Sequence, residues 1–310
     1  VLDKAAINPV PVAFICFSKL RTLLFLHKNG VKIPKTIFIP CEPREKTKNG
    51  NEIHNEEEIA DLIQHELGEN WIVIKPDAGT HGKGIELAKN RGELLKVLEK
   101  IEPSIINPSG VLAQEFVQKW FYDMRIIVLK EKGKAVYCHP KAMARAGFKD
   151  FRTNTALNNF VFDVDLPLYI RDAASQCGRV IGGNCEAWLL ALDAMISFGE
   201  NNIVDDEYVK AELEKLAAPF EAVKNARNAK EKRMNFADWN MKLEEAFQKY
   251  RSLEAYENVR KIINESVEKN THKILFHEAN SCPEFWEQTR LAAGANLAEY
   301  MLLCAKSMIN

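Results

Sequence analysis

Apolar residues recur along this chain at several spacings, and each spacing predicts a different element. Over residues 18–27, Leu20, Leu23, Leu24 and Leu26 fall at helical intervals, with Ser18 placed to cap the first turn and Asn29-Gly30 to end it. The run Ile37-Phe38-Ile39, closed by Pro40, predicts a strand. The polar stretch 42–57 predicts a loop, and Ile59, Leu62, Ile63 and Leu67 a second helix. Trp71-Ile72-Val73-Ile74, bounded by Gly68 and Pro76, reads as a buried strand. Ile85-Glu86-Leu87 alternates like a strand, and Leu94, Leu95, Val97 and Leu98 mark a helix that ends before Pro103. Val111-Leu112-Ala113, residues 124–129 and Ala135-Val136-Tyr137-Cys138 read as further strands, the last entered through a turn at Lys132-Gly133-Lys134. Residues 166–195 keep helical spacing and tighten into a strand near Leu189-Leu190-Ala191-Leu192.

Beyond that point the pattern changes. From Asp206 to Lys269 charges of both signs alternate, glycine is absent, and apolar residues fall three and four apart in three stripes. These are Val209, Leu213, Leu216 and Phe220; Phe236, Leu243, Phe247 and Tyr250; and Tyr256, Val259, Ile263 and Val267, which together predict a helical insertion. The basic segment 224–233 within it reads as a solvated helix face or loop.

Composition narrows the class. With 46% hydrophobic and 27% charged residues in 310, the chain can bury a sizeable core, which excludes disorder and collagen-like repeats. Lys+Arg 42 against Asp+Glu 43 gives a formal net charge of -1, so no global field draws the protein to nucleic acid or an anionic membrane. The apolar run near residues 10–17 is far shorter than the roughly 20 residues of a membrane span. Seven scattered cysteines, none in C-x-x-C spacing, argue against a disulfide framework or a zinc site, and a reducing cytoplasm is expected. Asn8-Pro9-Val10-Pro11 reads as a linker feeding a helix.

Three segments carry candidate chemistry. The first is Lys75-Pro76-Asp77-Ala78-Gly79-Thr80-His81-Gly82-Lys83-Gly84. Its glycines let backbone N–H groups approach phosphate oxygens, and Lys75 supplies a fixed positive charge. No Ser or Thr follows Gly82-Lys83, so this is not a Walker loop, and a strand rather than a helix follows, so it is not a dinucleotide fingerprint. A glycine loop between two strands suits a lid over a triphosphate; taken alone, it also suits a plain hairpin turn with a surface lysine. The second segment, Gln114-Glu115-Phe116-Val117, ends an apolar strand in a carboxylate flanked by exposed backbone, as an adenine hinge would. The third is Phe276-His277-Glu278-Ala279-Asn280-Ser281, where residues two apart project a carboxylate and an amide oxygen to one side, hard donors that suit Mg²⁺. The adjacent Cys282 is expected to be a packing residue rather than a nucleophile.

In order, the Lys-bearing strand with its glycine lid, the Gln-Glu hinge, Asp123-Met124-Arg125, Phe151-Arg152-Thr153-Asn154 and Glu278-Ala279-Asn280-Ser281-Cys282-Pro283 resemble the ATP-grasp superfamily, and most closely its RimK-type peptide and amino-acid ligases. The resemblance runs from about Lys19 to the end, taking in Lys19-Leu20-Arg21-Thr22, residues 31–36 and the apolar helix of residues 292–308. Residues 71–76 with Gly82-Lys83-Gly84-Ile85 also look like tubulin tyrosine ligase-like enzymes, while the segment after Arg125 favours the RimK branch.

The resemblance implies an α/β (α+β) fold in which two subdomains clamp ATP. Residues 1–36 would be a linker and a helix of the central domain, 37–118 the subdomain with the glycine-rich lid, and 119–310 the subdomain with the metal site, containing an insertion at about 200–270. The family's N-terminal domain has no counterpart in this sequence. Lys19 and Lys75 would hold phosphates, Gly79, Thr80, His81, Gly82, Lys83 and Gly84 would close over them, and Gln114, Glu115, Phe116 and Val117 would line the adenine hinge, with Asp123 beside the ribose. Asp193, Glu278 and Asn280 would hold Mg²⁺, with Mn²⁺ as a substitute. Arg145, Arg152 and Asn154 would meet the substrate carboxylate and developing acyl phosphate. The implied activity is ATP-dependent amide formation between an amino acid or peptide and a carboxylate, against an alternative as an ATP-binding scaffold without turnover. The insertion is where a protein partner would be expected, and a homo-oligomer is compatible with the pattern.

Overall fold

The computed structural model describes residues 6–40, 56–79, 82–101, 110–152, 159–198, 206–229, 235–283 and 288–309. The chain opens with helices α1 (Val10–Phe17) and α2 (Lys19–Lys28), which meet at a 104° bend. Ser18 makes the bend: its backbone is extended, and its hydroxyl accepts from the Arg21 N–H as the N-cap of α2. Both helices join the second of the two cores described below, through Val12, Ile15 and Leu26, before the chain crosses to the first sheet at β1 (Thr36–Pro40).

That first sheet is antiparallel, in the order β1, β4 (Gly110–Glu115), β2 (Ile72–Pro76), β3 (Glu86–Ala88). Helices α3 (Glu56–Leu67) and α4 (Arg91–Leu98) cover one face, packing Ile63, Leu67, Leu94 and Leu98 on Ile72, Ile74, Val111 and Ala113. Strand alternation sends Lys75 and Gln114 to the other face. Of the predicted loop 42–57, residues 42–55 lie outside the described residues, and Glu56 and Glu57 begin α3.

The second sheet runs β10 (Ile274–Asn280), β9 (Trp188–Ile196), β5 (Tyr122–Lys130), β7 (Lys141–Ala146), β8 (Phe160–Asp165), with the short β6 (Tyr137–Cys138) also paired to β5. Ile126, Val128, Leu190, Leu192 and Phe276 face the main core, which α5 (Leu168–Gly182) closes. On the opposite face Ile127, Leu129, Leu189 and Ala191 pack under Leu297 and Cys304 of α10 (Leu297–Ile309), preceded by the short α9 (Gln288–Ala293). The rest of that face is left to charged residues.

β7 and β8 are not among the predicted strands. Lys141-Ala142-Met143-Ala144-Arg145-Ala146 holds no β-branched or aromatic residue, and local preference alone favours a helix there. Pairing on both sides, with β5 and β8, overrides it.

The insertion consists of α6 (Asp206–Asn228), α7 (Phe236–Arg251) and α8 (Glu254–Lys269), and the three predicted stripes are its inner faces, except that Phe236 is exposed and Trp239 takes the buried place. These helices are part of the main core rather than an appendage. They also cap the edge strand β8: Tyr250 Oη donates to Val161 O (3.1 Å), Asp163 N to Tyr256 Oη (3.1 Å), and Asp165 N to Asn264 Oδ1 (2.8 Å). These are the alternate outward-facing groups that an edge strand leaves unpaired. Buried Asp163 anchors the arrangement, accepting from Tyr256 Oη (2.9 Å) and pairing with Lys141 (2.7 Å) and Arg260 (3.0 Å). Among the described residues no single helix is long and apolar enough to cross a membrane.

Asp163→Ala should lower stability by about 2–3 kcal/mol, since it strands two cations that are themselves partly solvated. The midpoint of urea unfolding measures this, and an unchanged midpoint would show that apolar packing alone holds the insertion.

Candidate active site

The charged half of the second sheet faces the Lys75 side of the first. Its organisation follows from register. Asp123 pairs with Arg145 across β5–β7, Arg125 with Asp193 across β5–β9, and Asp193 with Glu278 across β9–β10, so all five side chains share one face. They form a continuous network. Arg145 donates Nε–H to Asp123 Oδ1 (2.7 Å) and Nη2–H to Oδ2 (2.9 Å), and its Nη2 lies 3.3 Å from Asp193 Oδ1. Arg125 grips both oxygens of Asp193, each at 2.9 Å. Burial opposes the charge on Asp193, but the Arg125 and Arg145 guanidiniums outweigh it and hold the carboxyl well below the usual carboxylate range.

A bulge in β10 aims the next residues. Phe276 pairs with Ala194 and Glu278 with Asp193, so His277 is the extra residue, and Asn280 follows opposite Ala191 on the Glu278 face. His277 Nε2 and Asn280 Nδ2 are buried and have no hydrogen-bond partner. Burial, reinforced by the Lys75 charge, holds the His277 imidazole well below its ordinary pKa, so it is neutral at pH 7.

From the first lobe, Lys75 donates to Gln114 Oε1 (2.5 Å), and Gln114 Nε2 to Thr36 Oγ1 (2.9 Å). Burial draws the Lys75 ammonium down to about 8, partly offset by Glu278, and Lys119 likewise to about 8, partly offset by Asp123. Lys19, at the start of α2, donates to Gly79 O (3.1 Å) and lies 3.8 Å from Glu278 Oε1. Asp77, just past β2, accepts from Ser18 Oγ (2.8 Å) and from Leu20 N (2.9 Å), so a carboxylate from one lobe caps a helix of the other.

The glycine loop needs its glycines: Gly79, Gly82 and Gly84 have φ of +106°, +69° and +71°. Arg152, fixed by Asp150 through Nε (2.9 Å) and Nη2 (2.7 Å), reaches Gly82 O at 3.3 Å. Lys83 is exposed, and Thr80, His81 and Asn154 lie outside the described residues. The hinge differs from its expectation. Glu115 N donates to Lys35 O (3.0 Å), Phe116 N to Trp71 O (2.9 Å), and Glu115 Oε1 accepts from Lys35 N (2.8 Å), so these groups are already engaged. Antiparallel neighbours on both sides of β4 consume them. The Phe116 ring sits 5.3 Å from Trp71 and 6.4 Å from Phe151, and Val117 is buried. Cys282 is exposed rather than packed, because β10 ends at Asn280 and the chain turns outward.

Four site residues are absent from the sequence-based expectation: Asp77, Lys119, Arg125 and His277. Arg125 was within reach, since strand period two puts it on the Asp123 face. His277 was not, because only the bulge turns it toward Glu278.

Residues 17–204 match the model of the RimK-like ATP-grasp domain, and the chain belongs to that family. The match contains Lys19, Lys75, Asp123, Arg145 and Asp193 and ends before the insertion and β10. The chain is 28% identical over 183 residues to alpha-aminoadipate–LysW ligase LysX of Sulfurisphaera tokodaii, covering 59% of this chain and 56% of that protein. It is also 28% identical over 165 residues to a probable alpha-L-glutamate ligase of Maridesulfovibrio salexigens, covering 53% of this chain and 47% of that protein. It thus spans about half the length of these curated relatives. Among solved structures it is similar to D-cycloserine synthetase DcsG, with a TM-score of 0.44 and 13% identity over 62% of this chain and 61% of that one.

Asp77→Ala should cost about 1–2 kcal/mol, the usual loss when a helix N-terminus is uncapped. Urea unfolding monitored by circular dichroism measures it, and a wild-type midpoint would place no stabilising weight on the interlobe cap.

Proposed function

We propose that this chain is an ATP-dependent carboxylate–amine ligase that joins an amino acid to a peptide, protein or small-molecule carboxylate through an acyl phosphate. The observation that carries the reading is one cleft that brings Lys75 of the first lobe, with Lys19 and Lys119, over register-matched carboxylates and guanidiniums of the second. The names of the two relatives, both ligases, agree with it.

Lys75 and Lys19 would bind phosphates, with residues 79–84 closing over them, and Lys119 would add a third cation. Gln114 orients Lys75. The adenine is assigned to the Glu115–Val117 side, against Phe116 and through groups other than the Glu115 and Phe116 N–H donors already used. Asp123 is assigned to the ribose end of the cleft, where its first task is to hold Arg145. Arg145 and Arg152 would offset charge spreading onto the carboxylate and transferring phosphoryl group. Asn154, two residues beyond Arg152 in the sequence, would join them.

A divalent ion fits this donor set. Glu278 Oε1 lies 3.8 Å from Lys19 Nζ, and Asn280, two residues on along β10, brings an amide oxygen to the same face. Glu278 and Asn280 would hold Mg²⁺, or Mn²⁺ in its place, with phosphate oxygens completing the shell. Asp193 would join them by releasing one guanidinium. When bound, the ion would neutralise phosphate charge. The engagement of both Asp193 oxygens by arginines is what favours the second reading, nucleotide binding without turnover.

Incubation with Mg²⁺-ATP, amino acids, short acidic peptides and hydroxylamine tests the proposal. Hydroxamate together with ADP is expected, and Glu278→Gln should reduce both by about 10²-fold or more. Tight ATP binding with no ADP from any carboxylate would support the scaffold reading instead.

The pH dependence has a definite sign. Without nucleotide Lys75 and Lys119 shed protons above about 8, and bound phosphates would stabilise the charged forms. ATP affinity should therefore fall as pH rises through 8, and binding near that pH should take up protons. Titration calorimetry in buffers of different ionisation enthalpy reads this; proton release would contradict it.

A further inference from the structure

The β10 bulge does more than aim Glu278. In a regular strand only one of two consecutive residues can face the cleft; here His277 is the extra residue between Phe276, opposite Ala194, and Glu278, opposite Asp193. The charges acting most strongly on His277 are Lys75 from the first lobe and Asp193, Arg145 and Lys119. Its Nε2 is buried and has no hydrogen-bond partner. A buried polar atom left unpaired costs stability, so the fold gains nothing from the imidazole there.

A buried ring nitrogen without a partner, next in the chain to Glu278, whose Oε1 lies 3.8 Å from Lys19 Nζ, describes a place for an acceptor oxygen. Metal ligation is the weaker use, since the divalent ion assigned above takes oxygen donors rather than imidazole. We infer that His277, as its Nε2–H tautomer, donates a hydrogen bond to a phosphoryl oxygen of the nucleotide held by Lys75 and Lys119. This inference rests on the ATP-dependent reading above. It makes His277 a residue that touches the nucleotide and supplies it with a hydrogen-bond donor.

The experiment compares wild type, His277→Leu and His277→Gln by calorimetry with Mg²⁺-ATP and, in competition, with adenosine, alongside thermal melting. His277→Leu should weaken ATP binding about tenfold or more, the effect of losing one hydrogen bond to a charged group, and leave adenosine binding unchanged. His277→Gln, which keeps an N–H donor, should recover most of that loss. The Tm of His277→Leu should equal or exceed wild type. Unchanged ATP affinity in His277→Leu, an equal loss for adenosine, or a lowered Tm would each overturn the assignment. Absence of ATP binding by wild type would overturn the nucleotide reading as well, so the two failures are distinguishable.

Discussion

The alternation of Asp123, Arg145, Asp193 and Arg125 across three adjacent strands is the constraint on which the cleft depends. Burying two carboxylates and two guanidiniums is unfavourable unless each charge finds a well-aligned opposite. Antiparallel register supplies that alignment, because a slip of one residue in β5 or β9 would send half of the network into the apolar core. The network in turn fixes where Glu278 stands, since β10 takes its register from β9. Glu278 and Asn280 are therefore positioned by pairings made several strands away.

The helical insertion protects this register from the far side. It leaves the sheet after β9, covers β8 at the opposite edge, and returns into β10. On the way Trp120 Nε1 donates to Asp206 Oδ1, and the hydroxyls of Tyr122 and Ser266 are hydrogen-bonded. A connection of this length between neighbouring strands would ordinarily loosen them. Here its apolar stripes are used on the sheet itself, so the crossing acts as a brace, and Asp163 with Tyr250, Tyr256 and Asn264 joins it to the edge.

Much of this organisation was legible from residue pattern. β-branched runs marked β2 and β4, helical stripes marked all three insertion helices, and the glycine spacing marked the lid. Of the residues that combine in the cleft, Lys75 and Glu278 stood in segments readable from the residues themselves, whereas Asp123, Arg145 and Asp193 could be named only through the family resemblance. What escaped was non-local. β7 has a helix former's composition and is a strand only because its neighbours are. Phe236 satisfies helical spacing but sits in the first turn of α7, where Trp239 is better placed to reach the core. The engagement of the hinge N–H groups depends on β1 and β2 flanking β4, and the orientation of His277 depends on a bulge that leaves no trace in residue type.

The bend at Ser18 has a dynamic implication. α2 is packed into the second lobe, whereas the carboxylate that caps it, Asp77, follows the strand bearing Lys75 in the first. Separating the lobes pulls that carboxylate off Ser18 and Leu20, so opening the cleft and fraying the first turn of α2 become a single event. Lys19 lies in that turn and donates to Gly79 O, so the glycine loop is tied to the same turn. One helix terminus is thereby shared by both lobes, and its first turn is complete only while they stay together.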